Sequence, residues 1–319
     1  MGDEFPVYRV AAVQASPVFM DRESSVEKAC RLVAEAGSNG AQLAVFPETW
    51  LPGFPIWIER APGTALWDHQ PAKEAFTRLV ANAVEVPGPA TDTLCSAAAE
   101  AGCDVVMGVN ERQGGRLSGT LYNTIVYVGA DGRLAGKHRK LIPTYAERLI
   151  WGQGDGSTLG AFDSSVGRVG GLVCWEHWMP LARHAMHVTG EQVHAALWPA
   201  VEEIHQVASR HYAFEARCFV VAVGSVLRRD QVPEDLTIFH DDGIDPEEHL
   251  LDGGSAIIGP DGNYLAGPAG AEETILYADL DTSRIAAEHQ TFDPVGHYAR
   301  PDVFGVTINS TPQTYLEAP

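Results

Sequence analysis

Three residues have the types and positions that nucleophilic catalysis requires: Cys174, Glu48 and Lys140. Each lies at or just after the end of an apolar run of strand length, and ligand sites in open α/β sheets collect at the carboxyl ends of strands. A thiol can attack an acyl-type carbon, a carboxylate can take the thiol proton, and an ammonium can stabilise the negative charge that develops on the substrate. The three residues together predict a hydrolase with a cysteine nucleophile.

The candidate nucleophile ends the run Val169-Gly-Gly-Leu-Val-Cys174 and precedes Trp175-Glu-His-Trp-Met-Pro180, where a helix is expected to begin. The thiol is therefore predicted at a tight turn, whose backbone N–H groups can stabilise an anion. The other cysteines are interpreted as small buried hydrophobic residues: Cys30, Cys95, Cys103 and Cys218. Sparse, irregularly spaced cysteines favour free thiols in a reducing compartment over a disulfide framework.

Glu48 and Lys140 both stand beside apolar residues. Glu48 lies in Phe46-Pro-Glu-Thr-Trp-Leu51, a setting that predicts a raised carboxyl pKa and a general base. A loop carboxylate taken alone is more often a solvated surface charge. Lys140 precedes Leu-Ile-Pro143 and can point inward, where its ammonium would need Glu48 or Glu147 as a counter-ion. Its neighbours Lys137 and Arg139 are expected to form a solvated basic patch.

Apolar runs alternate with amphipathic stretches along the chain, which predicts an α/β fold. Strands are predicted at residues 7–14, 42–46, 104–109, 121–128, 166–173, 194–198, 219–223 and 255–258. Helices are predicted at residues 24–36, 71–84, 91–101, 180–188 and 203–217.

Two Asp-Gly turns suggest an internal repeat. Asp131-Gly132 and Asp261-Gly262 each separate two apolar runs, and each predicts a β-hairpin. One hairpin falls in each half, which suggests two similar sheet-and-helix halves. Because no linker separates them, residues 1–319 are expected to form a single domain. The acidic, turn-rich residues 230–252 are expected to be a long surface loop rather than a boundary or a lid.

The charge balance excludes several classes of partner. Lys and Arg number 22 against 42 Asp and Glu, and a net charge of -20 would repel a phosphate backbone. The first twenty residues lack the basic start and continuous apolar stretch of a signal peptide, and no apolar run reaches membrane-spanning length. The sequence predicts a soluble cytoplasmic protein that binds neither nucleic acid nor membrane.

Six segments together resemble the nitrilase superfamily of carbon-nitrogen hydrolases, and specifically its true nitrilase branch. They are Val10-Ala-Ala-Val-Gln-Ala-Ser-Pro17, Phe46-Pro-Glu-Thr-Trp-Leu-Pro-Gly53, His138-Arg-Lys-Leu-Ile-Pro-Thr144, Glu147-Arg-Leu-Ile-Trp-Gly-Gln-Gly-Asp155, Cys174-Trp-Glu-His-Trp-Met-Pro-Leu181 and Gly296-His-Tyr-Ala-Arg-Pro-Asp302. The resemblance covers nearly the whole chain. It implies a four-layer αββα sandwich, homodimers or higher homo-oligomers, and no metal or organic cofactor.

The same resemblance assigns roles to four residues. It implies that Cys174 is the nucleophile, Glu48 the general base, Lys140 the electrostatic stabiliser, and Glu147 the second glutamate beside the lysine. The thiol would add to a nitrile carbon and give a thioimidate, with the nitrogen's developing charge met by Lys140 and the backbone N–H of Trp175. Loss of ammonia would leave a thioester, which a second water would hydrolyse to the carboxylic acid.

The residues after Cys174 and those from Glu147 to Asp155 resemble the corresponding segments of nitrilases, and this resemblance implies a nitrile substrate rather than an amide. An amidase or a cyanide-hydrating enzyme with the same site is the alternative. His177 stands where the branch often has Asn, a change that could alter how much amide is released. An aromatic-rich neighbourhood favours aromatic or arylaliphatic nitriles. Trp175, Phe54, Pro199 and His177 are the predicted substrate-binding residues.

Two rival functions are weighed against this one. A metal site could use Cys174, His177, His184 and His187, although structural zinc sites more often pair their ligands differently and clustered histidines are expected in a chain with twelve. A binding protein without chemistry would lack one of the three reactive residues. Because the chain ends at Pro319, soon after the Gly296 motif, long filaments are not expected, whereas a dimer is.

Overall fold

Two six-stranded β-sheets form the centre of the protein, and the computed structural model describes residues 4–114, 119–240 and 242–313. The outermost residues of the predicted single domain, 1–3 and 314–319, lie outside these ranges. The strands are β1 (Val7–Gln14), β2 (Leu43–Val45), β3 (Asp104–Arg112), β4 (Leu121–Val128), β5 (Leu134–Arg139), β6 (Phe162–Ser164), β7 (Gly167–Val173), β8 (Val193–Leu197), β9 (Phe219–Val223), β10 (Val226–Arg228), β11 (His249–Asp252), β12 (Ala256–Ile258), β13 (Tyr264–Ala266) and β14 (Thr274–Asp281). The helices are α1 (Arg22–Ser38), α2 (Trp57–Arg60), α3 (Gln70–Asn82), α4 (Pro89–Ala101), α5 (Pro180–His187), α6 (Glu203–Ala216) and α7 (Ser283–His289).

Both large sheets follow one plan. The first has the order β14-β1-β2-β3-β4-β5 and the second has the order β13-β12-β9-β8-β7-β6. In each, three adjacent strands are parallel, β1-β2-β3 or β7-β8-β9, and an antiparallel hairpin follows the last of them. The hairpins β4-β5 and β12-β13 carry the two Asp-Gly turns, so both hairpin predictions and the suggestion of two similar halves are confirmed.

The sheets pack face to face, and helices cover their outer faces. Side chains of α1 and α4 form one core cluster with the outer face of the first sheet. A second cluster joins the inner faces of both sheets and continues to α6. The layers therefore run helix, sheet, sheet, helix, and the predicted αββα sandwich is confirmed. Because β4 is covered on both sides, its residues are all buried.

Helix α1 shows why the sequence forms these layers. The side chain of Asp21 accepts a hydrogen bond from the backbone N–H of Ser24 and caps the first turn. The buried residues Val26, Ala29 and Val33 recur every three or four positions, so one face of the helix packs on the sheet.

The expectation of a surface loop at residues 230–252 is wrong in part. Val232, Leu236, Ile238 and Phe239 are buried in a third apolar cluster that also contains residues of α2 and α3. The last four residues form β11, which pairs with β10. Acidic residues dominate the composition of this segment, but its apolar side chains face inward at irregular spacing. Asp241 lies outside the described residues.

No helix within the described ranges has both the length and the apolar composition needed to cross a membrane.

Candidate active site

The three candidate catalytic side chains meet where strands of the two sheets end. Glu48 lies just beyond β2 and Lys140 directly after β5, both in the first sheet, whereas Cys174 directly follows β7 in the second. All three are almost completely buried, with exposed fractions of 0%, 1% and 4%. The backbone N–H of Glu48 donates to the carbonyl of Trp198 at 3.3 Å, which ties the two sheets together beside the site.

Lys140 lies between two carboxylates. Its Nζ donates to Oε2 of Glu147 at 2.6 Å and to Oε1 of Glu48 at 3.3 Å. Glu147 is buried, and its Oε2 also accepts from the backbone N–H of Thr144 at 2.7 Å. The ammonium is therefore fixed by two carboxylates, as the sequence predicted for a buried lysine.

Cys174 adopts a left-handed backbone conformation with φ of 52° and begins a short 3-10 turn, Cys174–Trp178. This conformation is costly for a residue with a Cβ, by about 1–3 kcal/mol, and such strain concentrates at functional sites. Thr49 and Tyr145, which flank the other side of the site, also have positive φ values of 44°. The backbone N–H of Trp175 acts to lower the pKa of the Cys174 thiol, as a donor that can stabilise an anion at this turn would.

Burial dominates the electrostatics of the site. Burial raises the pKa of Glu48 to about 8, and the nearby Lys140 only partly offsets this effect, which confirms the predicted direction. Burial also raises the pKa of the Cys174 thiol well above its usual range, and the charge of Glu48 adds to the effect while Lys140 opposes it. For Lys140, burial acts to lower the pKa, but the charges of Glu48, Cys174 and Glu147 outweigh burial and raise it.

These shifts define the resting state. The raised pKa of the thiol favours its protonated form, the raised pKa of Lys140 favours the charged ammonium, and Glu48 ionises at about pH 8. Oε2 of Glu48 has no hydrogen-bond partner among the described residues, and carboxylate oxygens of Glu48 and Glu147 lie within 4.8 Å of Cys174 Sγ. Glu48 can therefore take the thiol proton as the sulfur attacks, rather than hold a preformed thiolate.

A cavity of about 500 Å³ opens above Cys174. Trp175 and Pro199, two of the predicted substrate-binding residues, line it, as does Tyr145. Phe54 is not among its lining residues, because it is buried against Trp151 in the third apolar cluster. Four tryptophans near the candidate catalytic residues or the cavity in sequence are also not among its lining residues: Trp50, Trp57, Trp178 and Trp198.

The amino-acid sequence matches the family model of carbon-nitrogen hydrolases over residues 9–290. The chain belongs to the carbon-nitrogen hydrolase family. It is 43% identical over 312 residues to an aliphatic nitrilase of Sinorhizobium fredii (strain HH103), covering 96% of this chain and 97% of that protein. It is 40% identical over 314 residues to a bifunctional nitrilase/nitrile hydratase of Lupinus angustifolius, covering 96% of this chain and 87% of that protein.

A solved carbon-nitrogen hydrolase from Helicobacter pylori G27 shares the fold, with a TM-score of 0.68 and 21% identity over 93% of this chain and 97% of that one. The nitrilase relatives confirm the predicted superfamily and branch. The protein is thus a hydrolase that acts on carbon–nitrogen bonds.

Two glycines let the backbone of this carbon-nitrogen hydrolase approach the reactive residues. A Cβ at Gly108 on β3 would lie 2.1 Å from the carbonyl oxygen of Pro47 and 2.8 Å from Cα of Glu48. A Cβ at Gly154 would lie 2.2 Å from the carbonyl oxygen of Arg139 and 2.8 Å from that of Lys140. Neither position accepts a side chain without moving a reactive residue.

Asn123 supports both Glu48 and Lys140, and the sequence analysis missed it. Its Nδ2 donates to Oε1 of Glu48 at 2.6 Å, and its backbone carbonyl accepts from the N–H of Lys140 at 2.8 Å. The available signal was a polar residue in the middle of the apolar run that forms β4.

Glu176 fixes the backbone on both sides of the site. Its Oε2 accepts from the N–H of Val173 at 2.7 Å and its Oε1 from the N–H of Leu141 at 2.8 Å. These are the chain neighbours of Cys174 and Lys140, so one carboxylate sets the spacing of the thiol and the ammonium. Burial acts to raise the pKa of Glu176, but His138 at 3.1 Å and the two backbone donors outweigh it and lower the pKa.

His177 lies behind Cys174 and does not line the cavity, contrary to its prediction as a substrate-binding residue. Its Nδ1 lies 2.7 Å from the Cys174 carbonyl oxygen and its Nε2 3.1 Å from His194. Burial, together with His194, lowers the pKa of His177 well below its usual range, so the ring is neutral and donates to Cys174. The series of hydrogen bonds continues from His194, whose Nδ1 lies 2.9 Å from Oε2 of Glu191, and the hydroxyl of Tyr212 donates to the same carboxylate.

The four residues of the alternative metal site, Cys174, His177, His184 and His187, do not come together as a set of ligands among the described residues. Both nitrogens of His177 are engaged, and within the described residues His184 and His187 are not grouped with Cys174. Glu48, Glu147 and Cys174 are near enough to share a cation. The ammonium of Lys140 already lies within hydrogen-bond distance of both carboxylates, where such a cation would bind.

The expected solvated patch at Lys137 and Arg139 is also wrong. Both side chains are about three-quarters buried and bind the buried Glu111, with Lys137 Nζ at 2.6 Å and Arg139 Nε at 2.8 Å from its carboxylate. Cys95, Cys103 and Cys218 are buried as predicted, whereas Cys30 is half-buried.

Proposed function

We propose that this protein hydrolyses an organic nitrile to the carboxylic acid and ammonia, with Cys174 as the nucleophile. The observation that carries the proposal is the buried cluster of Cys174, Glu48 and Lys140 beside a cavity that Cys174 and Glu147 line, in a chain similar to nitrilases. The raised pKa values of Glu48 and Cys174 support a concerted transfer of the thiol proton to the carboxylate.

In the first step the Sγ–carbon bond forms while Glu48 takes the thiol proton. That proton passes to the nitrile nitrogen, whose developing charge Lys140 and the N–H of Trp175 stabilise, and a thioimidate results. A water then adds to the thioimidate carbon and gives a proton to Glu48, which passes it to the nitrogen; the second proton of that water follows to the nitrogen as the carbon–oxygen double bond forms. Cleavage of the carbon–nitrogen bond releases ammonia and leaves a thioester, which a second water hydrolyses to the acid and the free thiol.

The same tetrahedral adduct can release an amide if the carbon–sulfur bond breaks first. The lupin relative is named a bifunctional nitrilase/nitrile hydratase, so the amide fraction is a quantity to measure. An amidase or a cyanide-hydrating enzyme with the same residues is the alternative function. The exposed rings of Tyr145 and Trp175 at the cavity support the predicted preference for aromatic or arylaliphatic nitriles. A homodimer or higher homo-oligomer and a cytoplasmic location remain predictions.

The test is release of ammonia, acid and amide from aliphatic, aromatic and arylaliphatic nitriles, the matching amides, and cyanide. Nitriles are expected to be converted, and Cys174→Ala is expected to abolish conversion. Cys30→Ala is the matched control, because this half-buried thiol lies on α1, outside the cavity. Normal turnover by Cys174→Ala, or turnover of amides alone, would overturn the proposal.

A further inference from the structure

The rim of the cavity above Cys174 is acidic. Three exposed carboxylates line it, from α2, from the residue that precedes α6, and from β11: Glu59, Glu202 and Asp252. None of the three forms an ion pair with another described residue, in contrast to Glu147, which binds Lys140. Glu59 lies near enough to Glu147 and Glu202 for their charges to act on its carboxyl group, so these carboxylates surround one shared space.

The cationic side chains that line the same cavity do not neutralise this rim. Arg60 Nη2 donates to Glu248 at 2.8 Å and is held by that partner. Burial lowers the pKa of His205, and its Nδ1 lies 2.9 Å from the carbonyl oxygen of Ala200. His249 is half-buried in β11. The potential that a substrate meets on entry is therefore negative.

Two aromatic rings reinforce this preference for positive charge. Tyr145 and Trp175 line the cavity with exposed fractions of 88% and 54%. Ring faces attract ammonium groups by about 0.5–2 kcal/mol, and they also accept an uncharged tail. Carboxylates beside aromatic faces make a surface that recognises an organic cation.

We infer that this cavity selects nitriles that carry an ammonium group at the end remote from the nitrile and discriminates against nitriles with a carboxylate there. The inference rests on the proposed nitrile hydrolysis and names its substrate class. The acidic rim also favours release of the product, because it repels the carboxylate that forms and does not repel the uncharged nitrile group. Product inhibition by carboxylates is therefore weak.

The first experiment compares kcat/KM for three nitriles of equal length, aminobutyronitrile, pentanenitrile and cyanopropanoate, whose ends are an ammonium, a methyl and a carboxylate. At low salt the ammonium nitrile is expected to exceed the methyl nitrile, and the methyl nitrile the carboxylate nitrile, each on the order of ten-fold. The ratios are expected to shrink at high salt, because the rim is exposed.

Glu59→Gln combined with Glu202→Gln is expected to remove most of the ammonium preference. Glu203→Gln is the matched control, since Glu203 is the exposed chain neighbour of Glu202 but is not among the residues that line the cavity. Equal kcat/KM values for the three nitriles in the unmodified enzyme would overturn the inference. So would an unchanged preference in the double variant.

A second measurement separates this inference from the proposed function. Cys174 is alkylated with bromoethylamine, iodoacetamide and iodoacetate, and modification of the Cys174 peptide is followed by mass; the sulfur–carbon bond forms as the halide and the thiol proton leave. Each reagent rate is divided by its rate with a small free thiol. If alkylation is fastest with the cationic reagent but no nitrile is hydrolysed, the proposed function is refuted and the preference of the acidic rim for cations is supported. If nitriles are hydrolysed but neither measurement depends on the charge of the substrate or reagent, the proposed function is supported and the cation preference is refuted.

Discussion

Glu48→Gln is expected to make the protein more stable and almost inactive. The substitution keeps the shape of the side chain, and its carbonyl oxygen can still accept from Asn123 and Lys140 in place of Oε1. Its amide nitrogen takes the place of Oε2, which has no hydrogen-bond partner among the described residues. The main change is that a buried group which must ionise for catalysis can no longer do so.

The magnitude follows from the pKa of Glu48, which burial raises from 4.5 to about 8. Between these values the folded protein binds more protons than the unfolded chain, so the free energy of unfolding falls as pH rises. Each pKa unit corresponds to about 1.4 kcal/mol, which gives an upper value of about 3 kcal/mol at pH 7. Glu48→Gln does not lose free energy of unfolding in this way. Its free energy of unfolding relative to that of the unmodified protein should therefore increase from pH 4.5 to 8 and then stay constant.

The assay is urea unfolding of both proteins at fixed protein concentration over pH 5 to 9, with nitrile turnover measured in parallel. Turnover should fall at least about 100-fold, the usual contribution of a general base. Glu203→Gln, at an exposed position, is the control. Parallel pH profiles of stability for Glu48→Gln and the unmodified protein would refute the reasoning, as would a variant that is less stable throughout.

Three further predictions test the surroundings of the site. The value of kcat/KM for an uncharged nitrile should fall about ten-fold per pH unit below pH 8, because only ionised Glu48 accepts the thiol proton; a flat profile between pH 6 and 8 would contradict this. Gly108→Ala should lower kcat at least ten-fold by displacing Glu48, whereas Gly114→Ala, whose Cβ meets nothing within 4 Å, should not. Glu176→Gln should leave one buried backbone donor without a partner, which lowers the free energy of unfolding by about 1–3 kcal/mol and slows alkylation of Cys174. Unchanged values in urea unfolding and in alkylation would contradict the role of Glu176 in holding the backbone beside Cys174 and Lys140.

The strands, and the positions of the candidate catalytic residues at their ends, could be predicted from sequence because their signals are local. Val7–Gln14, Leu121–Val128 and Phe219–Val223 match the predicted strands residue for residue. Each reactive residue lies at a strand end, and parallel strands bring such ends to one edge of a sheet. The sequence could not show that Glu48 and Cys174 belong to different sheets that face one another.

The residues that line the cavity and those that support the site were harder to predict from sequence, because the direction of a side chain depends on packing against residues distant in the chain. Phe54 lies near Glu48 in sequence, yet it packs against Trp151 rather than the cavity. His177 is three residues from Cys174 and turns back beneath it. Gly108 was visible as a glycine inside a strand, a pattern that often marks close backbone approach. The apolar residues between positions 230 and 252 follow neither the helix nor the strand period, so the sequence did not indicate that their side chains are buried.

The candidate catalytic residues come from both sheets, and this division sets when they can act together during folding. Lys140 and Glu48 are separated by 92 residues in the chain, and Cys174 comes from the opposite sheet. A chain in which each half had formed its own strands and hairpin would still have no nucleophile beside a base. Recovery of turnover after refolding therefore reports the docking of the halves, the step with the most distant contacts and the slowest expected rate.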